Sequence, residues 1–200
     1  MKKAIPFLII FVLSILTGNQ ANCQRKKNHD RSHWTDTTGS IELQTSRKQF
    51  WDSLPDPIGL TTDFENIFTP EEVRKLDSII IDYEKKTSIE LCVVTMDTLN
   101  VNSERFGELP EYIGKTWGIG KKEKDNGIVI CMSIGYHAIR IGAGHGIDDY
   151  LSETDTKQII EKKFLPDFKK KKYYDGTMNG IIAIIETLDK RMKGRSNALR

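Results

Sequence analysis

Asp125, Asn126 and Gly127 close the run WGIGKKEKDNG over residues 117–127. A second polar group, Gly144-His145-Gly146-Ile147-Asp148, follows, with Asp149 and Glu153 close behind it. Carboxylate, amide and peptide-carbonyl oxygens are the ligands that calcium and magnesium take, and glycines let a backbone carbonyl approach closely. The same residues have a plainer use, because Asp-Asn-Gly makes a good turn and a glycine-rich hairpin end needs no ligand. Residue types alone leave both readings open.

Other chemistries fail on spacing. Gly142-Ala143-Gly144-His145-Gly146 lacks the third glycine of a dinucleotide fingerprint, since Ile147 stands there. Gly114-Lys115-Thr116 resembles the end of a phosphate loop, but the glycine required upstream is Leu109. Asp97 is followed by Thr98-Leu99, which removes the second aspartate of a haloacid-type phosphatase. No G-x-S-x-G elbow exists, and neither Cys92 nor Cys131 stands in a catalytic motif. His29 and His33 are four apart in HDRSH, but nothing there signals a helix, so they read as solvated.

The elements that must position the polar groups can be read from pattern. Thr69-Pro70-Glu71-Glu72 is a helix start, with threonine as cap, proline in the first turn and Glu72 placed to return a bond. Val73, Leu76, Ile80 and Tyr83 continue it at helical spacing. Ile89 to Met96 is a short branched run that predicts a buried strand, and a helix is expected from about Ser103 to Lys115, with Pro110 disfavouring its first half. Residues 127–133 and 138–143 predict two strands whose short connection forces an antiparallel hairpin. That hairpin carries residues 144–148 back toward residues 125–127. A helix from about Glu153 to Phe164, broken near Pro166, and another from about Asp175 to Met192 complete an α/β layered domain, with Lys169 to Lys172 as a solvated turn between them. In WGIGKKEKDNG, Trp117 and Ile119 are expected to anchor in the core and the lysines to be solvated.

Lys2 and Lys3 precede an apolar run from Ala4 to Leu16, then polar residues and Ala21-Asn22-Cys23, which predicts a signal peptide over residues 1–23. The run is too short to span a bilayer comfortably, so no stable transmembrane segment is expected after cleavage. A lipid anchor on Cys23 is the less favoured alternative, because Gln20 and Asn22 occupy the places where such an anchor wants a leucine and a small residue. The chain is therefore expected in the periplasm or cell envelope. Loss of Lys2 and Lys3 takes the formal charge of +2 to zero, which gives no reason to expect a nucleic-acid partner. Residues 24–48 read as a flexible tether, residues 50–68 as extended chain packing Trp51, Leu54 and Ile58 at the domain edge, residues 49–193 as the folded domain and residues 194–200 as a disordered tail. Cys92 and Cys131 sit in apolar runs and read as buried thiols before a disulfide.

The assembled residues resemble the TPM domain family. The likeness is carried by Thr62-Asp63 with Thr69-Pro70-Glu71-Glu72, by Lys86-Thr87 with the following strand, by WGIGKKEKDNG, and by Arg140-Ile141 with Gly144-His145-Gly146-Ile147-Asp148. It continues through Leu151 to Glu153, Leu165-Pro166-Asp167-Phe168 and Tyr174-Asp175-Gly176. The resemblance implies a three-layer α/β/α sandwich with a central mixed sheet, and exported or lumenal placement. It also implies divalent-cation binding in some members and weak acid phosphatase activity in at least one plant member. The family includes a thylakoid-lumen protein of photosystem II repair and an accessory protein of a nicotinic receptor, and the resemblance implies for other members a non-enzymatic accessory role toward membrane complexes. By position, the implied calcium or magnesium ligands are Asp63, Asp125, Asn126, Asp148 and Glu153. Two departures stand out: Asp148 replaces the family's usual glutamate, and His145 replaces the tyrosine of its Gly-Tyr-Gly-Leu run. The resemblance thus implies an accessory or binding module for an envelope membrane protein, with a metal-assisted phosphatase as the alternative.

Overall fold

A strand apolar on both faces must be covered on both. The computed structural model describes residues 37–198 and shows how this is done. In chain order the elements are α1 (Thr37–Asp52), β1 (Thr61–Asp63), α2 (Pro70–Thr87), β2 (Glu90–Thr95), α3 (Leu109–Trp117), β3 (Gly127–Ser133), β4 (Ala138–Ala143), α4 (Glu153–Ile159), α5 (Leu165–Phe168) and α6 (Tyr173–Ala198). The sheet order is β1-β2-β3-β4, with β1, β2 and β3 parallel and β4 antiparallel to β3.

Alternation along the strands divides the core in two. Leu91, Val93, Ile128, Ile130 and Met132 pack on Leu76 and Ile80 of α2, Phe164, and Ile181, Ile184 and Leu188 of α6. Cys92, Val94, Val129 and Cys131 face the other way, onto Phe50 of α1 and Leu109 and Ile113 of α3. The result is a three-layer α/β/α sandwich. Strands β1, β2 and β3 step across the sheet in one direction, yet α2 and α3 cover opposite faces. One of the two crossovers therefore has the uncommon left hand.

Several elements follow the pattern of the sequence. Thr69 accepts from the Glu72 amide at 3.3 Å while the Glu72 carboxylate accepts from the Thr69 amide at 2.7 Å, so the capping box that starts α2 is complete. The β3–β4 hairpin has the expected bounds and direction. Cys92 and Cys131 are buried free thiols, as expected.

Other elements correct the expectations. Residues 37–48, expected within a flexible tether, belong to α1, which continues to Asp52 where extended chain was expected. Its apolar pattern is weak, and tertiary contacts hold it in place. Arg47 Nη2 donates to the Thr98 carbonyl at 2.8 Å, the Tyr112 hydroxyl donates to the Trp51 carbonyl at 2.8 Å, and the Arg105 guanidinium lies 3.6 Å over the Trp51 ring. Ile58, expected at the packed edge, is 78% exposed, whereas Trp51 and Leu54 do pack on the core. The strand β1 was hidden within that same stretch, and at three residues it is too short to show a period.

The third helix starts at Leu109 rather than Ser103, which puts Pro110 in its first turn, where a missing N–H costs nothing. The expected break near Pro166 is absent. A π-helical turn over Ile160–Phe164 joins α4 to α5, the Leu165 amide donates to the Ile160 carbonyl, and the widened turn accommodates the proline ring. Residues 194–198, expected in a disordered tail, continue α6, with Arg195 ion-paired to Asp149 and its guanidinium 5.6 Å from the Tyr150 ring. The expected signal peptide over residues 1–23 with Cys23, and residues 24–36 with His29 and His33, lie outside the described residues.

Candidate functional site

The hairpin closes where the sequence pattern places it. The Gly144 amide donates to the Gly127 carbonyl and the Gly146 amide to the Asp125 carbonyl, each at 2.9 Å. The two segments are so close that a Cβ on Gly146 would stand 1.9 Å from the Lys124 carbonyl oxygen, so glycine is required there. Asp125 itself adopts a left-handed conformation with φ 44°, which aspartate tolerates better than most residues.

The side chains then divide by role. Asp125 Oδ2 accepts from the His145 amide at 2.9 Å and lies 2.9 Å from the His145 ring Nδ1. The His145 ring bond, with the amide bond behind it, holds the Asp125 carboxyl below its ordinary value. The same bond and the Asp125 charge, helped by Asp148, raise the His145 imidazole above its own. The imidazole is 94% exposed, so the pair presents a carboxylate-oriented ring to solvent.

Asn126 is not a ligand in this arrangement but a bracket. It is 5% exposed, its Nδ2 donates to the Ser88 carbonyl at 2.7 Å and its Oδ1 accepts from the Lys121 amide at 2.9 Å. It thereby pins the loop before β3 to the end of α2. Two of the lysines expected to be solvated are also tied down: Lys121 pairs with Glu90 and, at 3.2 Å, with Glu84, while Lys124 Nζ donates to the Ser88 hydroxyl at 2.7 Å. Trp117 is half-buried on the core and its Nε1 donates to the Pro55 carbonyl at 2.9 Å.

Asp125, Asp148 and Glu153 do come together, along one groove of about 1090 Å³. Its walls are α3, through Pro110, Glu111 and Lys115, and the start of α4, through Glu153 and Thr156, and β4 runs along it. The Asp148 and Glu153 carboxylates make no hydrogen bond or ion pair among the described residues. Asp63 lies elsewhere. It ends β1 opposite Thr95, at the pole of the sheet away from Gly127, about 17 Å distant at the rise of a strand. There Asp63 Oδ1 accepts from the Thr95 hydroxyl at 2.6 Å and Oδ2 from the Phe68 amide at 2.8 Å, which fixes the turn into α2.

A calcium or magnesium ion does not fit the carboxylates as they stand. Such ions take about six or more oxygen ligands, yet Asp125 Oδ2 already accepts two bonds from His145 and the Asp125 carbonyl one from Gly146. Among the described residues, no group of three or more His, Cys, Asp or Glu side chains is placed to hold a metal ion. The groove instead offers separated charges of both signs, since Arg140 and the Glu111–Lys115 pair also line it. Glu111 and Lys115 carried no signal in the sequence, because only the packing of α3 on β3 and β4 brings them to the site.

Comparison with known proteins agrees with this architecture. The model of the TPM domain family matches residues 61–187. The solution NMR structure of the N-terminal domain of a protein from P. gingivalis is similar at 19% identity and a TM-score of 0.60, covering 75% of this chain and 87% of that one. The NMR structure of the BA42 protein from the psychrophilic bacterium Bizionia argentinensis is similar at 23% identity and a TM-score of 0.54, covering 64% and 86%. At these identities the likeness is one of fold. Among the curated proteins none matches.

Proposed function

Because the chain belongs to the TPM domain family, we propose that it is an exported binding module that assists a membrane protein of the cell envelope and holds that partner in the groove along β4. The observation that carries this reading is the groove itself: a depression of about 1090 Å³ whose charged side chains are spread out rather than converged on a reacting point. The hydroxyl of Ser152, which lines it, is occupied in capping α4 with Asp155. The leader-like residues 1–23 support export.

The test is photo-crosslinking in intact cells, with a benzophenone side chain at Lys122 on the groove rim or at Ile58 on a bare surface. A membrane-protein adduct is expected from position 122 and not from position 58. No adduct, or the same adducts from both, would refute the reading.

One observation favours a second reading, that of a weak acid phosphatase. An exposed imidazole oriented by a carboxylate, as His145 is by Asp125, is the arrangement of a proton carrier. Hydrolysis of a chromogenic phosphate monoester in the presence of magnesium would then be abolished in His145→Ala and weakened in Asp125→Asn. Turnover that survives both changes comes from a contaminant.

A further inference from the structure

We propose that the groove takes its partner as an added β-strand: an extended polypeptide segment pairs with the open edge of β4 and turns basic side chains toward Asp148 and Glu153. The proposal rests on the reading of the groove as a binding site and names what fills it.

The edge follows from the register. Gly144 bonds to Gly127, so the residues of β4 whose main chain points at β3 are Gly142, Arg140 and Ala138, in steps of two. The N–H and C=O groups of Ile139, Ile141 and Ala143 must therefore point away from the sheet. The Ile139 carbonyl confirms this direction, because it accepts from Arg140 Nη1 at 2.9 Å, a bond that blunts one end of the edge. Among the described residues Ile141 and Ala143 have no such partner, and their outward donors and acceptors face the groove.

A row of unpaired main-chain groups between two walls is the template for strand addition. The side-chain alternation of β4 then selects the occupant. Ile139 and Ile141 lie on the α4 and α6 side and Gly142 meets Pro110 of α3, so alternate residues of an added strand face the two walls. On the α4 side they meet Asp148 and Glu153, whose carboxylates make no hydrogen bond or ion pair among the described residues, although Asp148 feels the nearby His145 imidazole, and this favours lysine or arginine there.

The probe is the blocked peptide Lys-Val-Lys-Val-Lys-Val-Lys, added to the full chain and followed by amide hydrogen exchange in NMR spectra. Saturation is expected to slow exchange at Ile141 and Ala143 by about tenfold or more. A control peptide N-methylated at alternate residues keeps every charge but loses the donors of one edge, and is expected to protect neither amide. Asp148→Asn and Glu153→Gln are each expected to weaken the unmodified peptide about threefold, in line with exposed ion pairs. Binding that leaves both amides unprotected, or protection that survives N-methylation, overturns strand addition while the groove reading stands. No binding of the peptide also overturns it, and the crosslink from position 122 then decides the groove reading separately.

Discussion

Asn126→Ala is the sharpest test of how the site is held. The asparagine is 5% exposed and satisfies two main-chain groups, the Ser88 carbonyl at 2.7 Å and the Lys121 amide at 2.9 Å. Alanine leaves both without a partner. The Lys121 amide belongs to an exposed loop and can recover a water, so its loss costs about 0.5–1 kcal/mol, while the half-buried Ser88 carbonyl costs about 1–1.5 kcal/mol. The sum, about 2 kcal/mol, is a large part of the roughly 5–15 kcal/mol that stabilises a domain. It corresponds to a Tm lower by about 4–8 °C in a domain of this size. Urea and thermal unfolding with an unchanged m-value measure it. A loss below about 0.5 kcal/mol would refute the bracket, because it would mean that the loop before β3 stays in place without it. Asn126→Asp sharpens the test: it keeps the acceptor for Lys121 but sets a carboxylate against the Ser88 carbonyl. It is expected to cost more than alanine at neutral pH, and the penalty should shrink as the pH falls and the new carboxyl takes up a proton it can donate.

The Asp125–His145 pair makes a signed prediction for pH. The hydrogen bond to Asp125 raises the His145 pKa above 6.5, and the same bond lowers Asp125 below 3.8. The pair therefore adds stability at full strength between 3.8 and 6.5. That contribution is lost as the pH rises through the raised histidine value or falls through the lowered aspartate value. An NMR titration in which Asp125→Asn leaves the His145 pKa unmoved would contradict the contact. Millimolar calcium is expected to leave the NMR shifts of Asp125, Asp148 and Glu153 unchanged, because their carboxylates do not converge; a saturable shift would show that His145 releases Asp125. Gly146→Ala drives a Cβ into the Lys124 carbonyl, at 1.9 Å, and should cost about 1–3 kcal/mol in urea unfolding, whereas an unchanged midpoint would mean that the hairpin end is loose. Burial pushes the Cys92 thiol up to about 12 and that of Cys131 well above 9.0, so both should resist a thiol reagent until urea unfolds the chain. Fast labelling of the native chain would place a thiol at the surface.

Much of the fold was legible because its signals are local. The cap at Thr69, the branched run before Met96 and the brief connection from Ile134 to His137 each act within a few residues, and from the last of these the meeting of residues 125–127 with residues 144–148 follows by geometry. The helix α1 was not legible, since its place comes from Arg47, Trp51 and Tyr112, contacts between segments far apart in the chain. The continuous passage through Pro166 was also hidden, because a π-helical turn has no residue signature of its own.

The sequence by itself determined the chemical content of the site: two acidic, glycine-rich segments, a histidine in place of a tyrosine, and a hairpin that brings them together. Only the tertiary structure decided what those residues do. It sent Asp63 to the far pole, because a parallel strand ends where an antiparallel partner begins. It turned Asn126 inward to hold the chain and set α3 on the face opposite α2, so that one of the two crossovers has the uncommon hand. That last choice builds the groove, for it lays Glu111 and Lys115 beside the outer edge of β4 and leaves that edge open. Which side of a sheet a helix covers is settled by the packing of the whole core, and no spacing within the helix records it.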